Sequence, residues 1–145
     1  MSDYICRFSR EKIKEIYESG KKYILCKVGA DYCPPCRALE SGNPSPLHQL
    51  MDKINQEVKD KIYMISIDNN DNAEDFFYSV NIKEVTKIPA FFLIAFHFDK
   101  NSECIYTSYG FSGYNIVDWV NAFSNNIKET IKNYENNTPN TCNIQ

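Results

Sequence analysis

The sequence predicts a single α/β domain built on a mixed sheet, and three observations carry that expectation. β-favouring apolar runs alternate with amphipathic helical segments from residue 4 to residue 80. Two further β runs are then separated by only the polar turn 99–103, the spacing of an antiparallel hairpin. The length of 145 residues, with 43% apolar and 24% charged side chains, is that of one ordinary globular unit.

Residues 4–8 read as a short strand. Ser9 can cap a helix in which Ile13, Ile16 and Tyr17 share one face while Lys12, Lys14, Glu15 and Glu18 face water, and Gly20 ends it. Residues 23–29 are a β-favouring apolar run interrupted by Lys27, the pattern of a central strand. Cys33-Pro34-Pro35-Cys36 follows directly. The helix it opens is broken across the breaker-rich residues 40–46, after which Leu47, Leu50, Met51, Ile54 and Val58 keep helical spacing. Residues 62–67 form a second apolar β run, and Asp71-Asn72 opens a helix with Phe76, Phe77 and Val80 on one side. Pro89 opens a third run over 90–98, which pairs with 104–109. Ile116, Val120, Phe123, Ile127 and Ile131 then recur every three or four residues on a closing helix that also carries Trp119. The domain is expected to span 1–132, with the polar, non-periodic 133–145 as a flexible tail.

A chain of this size buries enough surface to hold a core without staples, so its six cysteines need not be a scaffold. Sixteen basic and nineteen acidic residues give a net charge of −3, without the electrostatic footprint of a nucleic-acid binder. The start lacks the basic residues and continuous apolar stretch of a signal peptide, and the apolar run 88–98 is too short to span a membrane. The expected location is therefore cytoplasmic, with neither nucleic acid nor membrane as partner.

A CxxC beside a βαβ pattern reads as a redox dithiol. With Cys33 at a helix start, its thiolate meets the positive end of the macrodipole, and Cys36 lies one turn on, within disulfide reach. Cys33 is then the exposed nucleophile and Cys36 the buried resolver. Proline at the first helical position gives up only a free N–H, although Pro34 and Pro35 together leave few donors facing the thiolate. The Cys33 thiol is accordingly expected only modestly below the usual value of about 8.5. A zinc reading needs two more ligands, and Cys6, Cys26, His48, His97, Cys104 and Cys142 show no metal spacing. Both histidines read as ordinary surface or core residues. Residues 68–79 imitate a calcium loop but carry Ala73 at the sharp-turn glycine position and Ser79 at the bidentate glutamate position. No metal or bound cofactor is implied.

The order of elements, the CxxC-headed helix and Ile88-Pro89 before the hairpin resemble the thioredoxin family across roughly residues 4–132. Tyr32-Cys33-Pro34-Pro35-Cys36-Arg37 is most similar to the tryparedoxin and nucleoredoxin branch, whose motif has Trp in place of Tyr32. The resemblance implies a thioredoxin fold, with helices on both faces of the sheet. It also implies a cis-proline, Pro89, facing the CxxC. The backbone of Ile88 would pair with a bound substrate segment, and Gly110 and Tyr32 would border the same groove. The family usually places a buried acid six residues before its first cysteine, where this chain has Lys27. Lys27 is expected either to tune the cysteines or to lie along the sheet with its amine reaching water. Under the tuning reading, Lys27→Glu should partly restore the family's behaviour. Lys87 stands where a small residue is common, and the segments 41–46 and 68–72 lengthen the stretch between motif and proline.

The function expected is thiol–disulfide oxidoreductase, in the direction of protein-disulfide reduction and so of cell redox homeostasis. Its partners would be protein or small-molecule disulfides and an unidentified reducing partner. The rival readings are a redox-silent interaction module on the same fold, and an oxidase or isomerase running the chemistry in another direction.

Overall fold

The computed structural model describes residues 4–97, 101–111 and 115–137. Its centre is a five-stranded sheet made of β1 (Ile5–Arg7), β2 (Tyr23–Gly29), β3 (Tyr63–Asp68), β4 (Ala90–Ala95) and β5 (Glu103–Tyr109), in the order β1-β3-β2-β4-β5. β3 pairs in parallel with β1 and β2, whereas β4 runs antiparallel to both β2 and β5, so the sheet is mixed. The uninterrupted apolar character of β2 and β4 follows from this topology. Both lie inside the sheet and are covered on both faces, and every residue of each is buried.

Five helices cover the sheet: α1 (Arg10–Glu18), α2 (Pro34–Glu40), α3 (Pro46–Asn55), α4 (Glu74–Ser79) and α5 (Ile116–Asn137). On one face Leu39, Leu50, Met51 and Ile54 of α2 and α3 meet Phe123, Ile127 and Ile131 of α5 over Leu25, Phe91 and Leu93. On the other, Ile16 of α1 and the rings of Phe76 and Phe77 of α4 pack over Cys26, Ile65, Phe92 and Ile94. The arrangement is an α/β thioredoxin fold, as expected. Among the described residues, no helix is long and apolar enough to cross a membrane.

Local chemistry sets the boundaries. Ser9 accepts from the Lys12 amide at 3.0 Å and so caps α1, and Gly20 leaves the helix in the left-handed region with φ 84°. The broken helix proves to be two. Ser45 accepts from the His48 amide at 3.2 Å and Pro46 takes a first-turn position, so α3 has its own start. α4 begins at Glu74, later than the Asp71-Asn72 start read from sequence. The Asp71 carboxylate is occupied instead, accepting from the Asp68 amide at 2.8 Å and pairing with Arg7 at 2.9 Å, which holds a turn ahead of the helix. α5 runs to Asn137, beyond the boundary expected at 132, because Tyr134 packs edge-on against Tyr23 and Glu135 accepts from the Tyr23 hydroxyl at 2.9 Å. The remainder of the expected tail, Cys142 included, lies outside the described residues.

Candidate active site

β2 ends at Gly29, and the chain turns through Ala30, Asp31 and Tyr32 into α2. Cys33 is the N-cap of that helix, with extended backbone (φ −96°, ψ 108°), and Pro34 and Pro35 supply its first turn. Both prolines lack an N–H, so the first amide available to a capping group is that of Cys36, which donates to Cys33 Sγ at 3.3 Å. Cys33 and Cys36 are joined as a disulfide, their Cα atoms 5.2 Å apart.

Cys33 retains 7% of its surface and Cys36 1%. The asymmetry has the expected sign, but Cys33 is less open than an exposed nucleophile. In this oxidised state its sulfur is tied inward to Cys36 and packed on Ala30 and Ile88. Cys33 Sγ lies 3.9 Å from the carbonyl oxygen of Ile88, whose bond to Pro89 is cis. The Gly110 amide donates to the Pro89 carbonyl at 2.8 Å, and Gly110 itself has φ 86°, a conformation that favours glycine. Residues distant in sequence thus meet at one rim: Cys33, Ile88, Pro89 and Gly110. Tyr32 stands beside them, 72% exposed, its hydroxyl accepting from Asn69 Nδ2 at 2.7 Å. A groove of about 580 Å³ opens from Tyr32 and Ile88 towards Phe77 and Tyr78, with Lys87 on its wall.

Beneath the motif is Lys27. Its side chain is 3% exposed and does not reach water; Nζ pairs with Glu40 Oε2 at 2.7 Å. A Cβ placed on Gly29 would lie 2.9 Å from Lys27 Nζ and 3.2 Å from Cys36 Sγ, so the ammonium and the resolving sulfur flank the same small space. Sequence reading missed both Glu40, taken as the first residue of a breaker-rich loop, and Gly29. A signal for Glu40 existed: a lysine inside a central strand demands a counter-charge, and an acid one turn past Cys36 is within its reach.

The other cysteines lie apart from the motif. Cys26 is fully buried in the core, and burial, reinforced by Cys104, pushes its thiol well up. Cys6 and Cys104 are half-buried and free. His48 is engaged with the α3 cap, its Nδ1 2.6 Å from Ser45 Oγ, and His97 Nε2 lies 3.3 Å from Glu103 and 2.6 Å from the Tyr134 hydroxyl. Among the described residues no three His, Cys, Asp or Glu side chains converge as a metal site.

Two cysteines one turn apart at a helix start are placed to close as a disulfide, and the closed form is the one observed. This fold with this disulfide defines the class: a thioredoxin-fold protein carrying a CXXC disulfide. Known structures agree on the fold. The chain is similar to a thioredoxin from Trichomonas vaginalis, with 22% identity over 84% of this chain and 99% of that one and a TM-score of 0.50. It is also similar to the oxidised thioredoxin of Plasmodium falciparum, with 16% identity, coverage of 83% and 98%, and a TM-score of 0.53. Thioredoxin O2 of Arabidopsis thaliana in its oxidised state matches with 12% identity, coverage of 86% and 96%, and a TM-score of 0.54. No protein-family model matches the sequence, and no curated protein matches it.

Proposed function

We propose that this chain is a thiol–disulfide oxidoreductase working as a protein-disulfide reductase in a reducing, cytoplasmic setting. The observation that carries the reading is the joint placement of the Cys33–Cys36 pair at the start of α2 with the Ile88 carbonyl 3.9 Å from Cys33 Sγ. In the reduced protein, the Cys33 thiolate attacks a substrate disulfide, one substrate sulfur leaves as thiolate, and a mixed disulfide forms. Cys36 then attacks Cys33 Sγ, releases the second substrate thiolate and regenerates the observed disulfide.

In this reading the Ile88 backbone pairs with an extended substrate segment, Gly110 and Tyr32 border it, and Pro89 sets its approach to Cys33. Lys27 tunes the pair from below. The reducing direction is supported by the sparse donor set at Cys33, where the one amide from Cys36 faces the sulfur. A thiolate left with few donors suits a reductase better than a strong oxidant. The substrates are protein or small-molecule disulfides, and a separate reductant must return the electrons.

Insulin-disulfide reduction driven by dithiothreitol tests this. The reading expects turnover by the wild-type protein, loss in Cys33→Ser, and a potential near about −270 mV rather than about −120 mV. Folded protein with no turnover would instead establish a redox-silent module, and a potential near the upper value an oxidase.

A further inference from the structure

The least ordinary feature of the site is the amine beneath it. Lys27 Nζ has two neighbours of opposite demand: the Glu40 carboxylate at 2.7 Å, and Cys36 Sγ across the space that Gly29 leaves open. While Cys36 is in the disulfide, its sulfur is neutral and the ammonium has one anion to satisfy it. When Cys36 must attack, it becomes a thiolate in a site where it is only 1% exposed, and a desolvated anion there needs a cation.

We infer that Lys27 is a cation shared between Glu40 and Cys36, bound to Glu40 when Cys36 is neutral and turned to the Cys36 thiolate during resolution. This deepens the thiol–disulfide reading and rests on it. Gly29 has a part here, since a side chain at that position would fill the space between the amine and the sulfur. Glu40 is 56% exposed, at the edge of a cleft of about 570 Å³ whose wall also includes Arg7, Asp31, Arg37 and Asp68. Those four and Glu40 are the charged groups that line this cleft together with Lys27. Lys27 and Glu40 are positioning residues and neither touches the substrate.

The pair predicts effects of opposite sign. Removing the amine in Lys27→Met withdraws the cation from Cys36, whereas removing the competing carboxylate in Glu40→Gln leaves the whole ammonium to the sulfur. In the full-length protein and in each variant Cys6, Cys26, Cys104 and Cys142 are first replaced, Cys26 by Val and the others by Ser, so that the motif thiols alone react. The fully reduced protein is then mixed with dithiobis(nitrobenzoate). Cys33 thiolate breaks the probe's S–S bond and releases one thionitrobenzoate. Cys36 gives its proton to water, attacks Cys33 Sγ and releases the second, so two electrons pass from the dithiol to the probe. The second release, followed by stopped flow from pH 5 to 10, reads the ionisation of Cys36.

Lys27→Met should move its midpoint up by about one pH unit, and Glu40→Gln should move it down. Gly29→Ala should follow Lys27→Met in direction. Glu40 is half-exposed, so its variant tests the idea even if a change at Lys27 disturbs folding. Midpoints that are unchanged, or that move the same way in Lys27→Met and Glu40→Gln, overturn the shared-cation inference while leaving exchange chemistry standing. A parent protein with the Cys33–Cys36 motif intact that gives no second release overturns the underlying reading instead.

Discussion

Alkaline unfolding should be governed by two side chains outside the redox pair. Cys26 is completely buried, and desolvation, with Cys104 adding, raises its thiol from the ordinary 9.0 to far beyond the accessible range. Tyr23 is raised from 10.0 in the same direction, first by burial and then by its hydrogen bond to Glu135. The unfolded chain loses these protons at the ordinary values while the folded one keeps them. The folded state then binds more protons, and stability falls as pH rises. Below 9.0 the contribution of Cys26 is fully present; above it about 1.4 kcal/mol is lost per pH unit, and Tyr23 adds an equal slope above 10.0. Near pH 11 the loss reaches about 4 kcal/mol, a large part of a typical domain's stability. Urea denaturation of the oxidised protein at intervals from pH 8 to 11, followed by circular dichroism, measures it. A non-reducing gel at each point checks that free thiols have not reshuffled the disulfide. Cys26→Val should abolish the slope between pH 9 and 10 and halve the fall above pH 10, where only the Tyr23 contribution remains. A flat profile up to pH 11, or a Cys26→Val protein with the wild-type slope, would refute the reasoning.

Cys36→Ser should accumulate a mixed disulfide with substrate on Cys33, and Cys33→Ser none, as read on non-reducing gels; trapping by Cys33→Ser would reverse the order of attack. Joint replacement of Cys6, Cys26, Cys104 and Cys142 should leave insulin reduction within a few-fold of wild type, and a collapse in a folded protein would reveal a working third thiol. Asn55, buried at the end of α3, donates to the Ile62 carbonyl at 2.9 Å and accepts from its amide at 2.8 Å. Asn55→Ala leaves both of those buried groups unpaired and should cost about 3 kcal/mol, and less than about 1 kcal/mol in chemical denaturation would mean that water replaces the side chain. Phe91, fully buried and edge-on to Phe123 at 4.9 Å, sits in the larger core; Phe91→Ala should cost about 3–5 kcal/mol by the same measurement.

The features legible in the sequence were those fixed by neighbours along the chain. Continuous apolar runs marked β2 and β4, and Ser9 and Gly20 marked the ends of α1, because strand burial and helix capping are written within a few residues. The CXXC declared its own chemistry. What escaped reading depends on distant partners. The Asp71 carboxylate delays α4 because Arg7 of β1 lies beside it. α5 outlasts its apolar periodicity because Tyr23 of β2 receives Tyr134 and Glu135. At the site, strand alternation placed Lys27 under the motif helix but could not say whether the amine would reach water or an anion. That choice belongs to Glu40, whose position depended on where α2 stopped.

α2 does stop at Glu40, so this carboxylate stands at the negative pole of its helix, where an anion is disfavoured, and Lys27 is what makes it acceptable there. The two positions are therefore electrostatically one unit. Installing the family's acid by Lys27→Glu, which the resemblance alone would make a partial restoration, instead sets two carboxylates against each other at that pole. An acid at position 27 is therefore accommodated only if Glu40 changes with it.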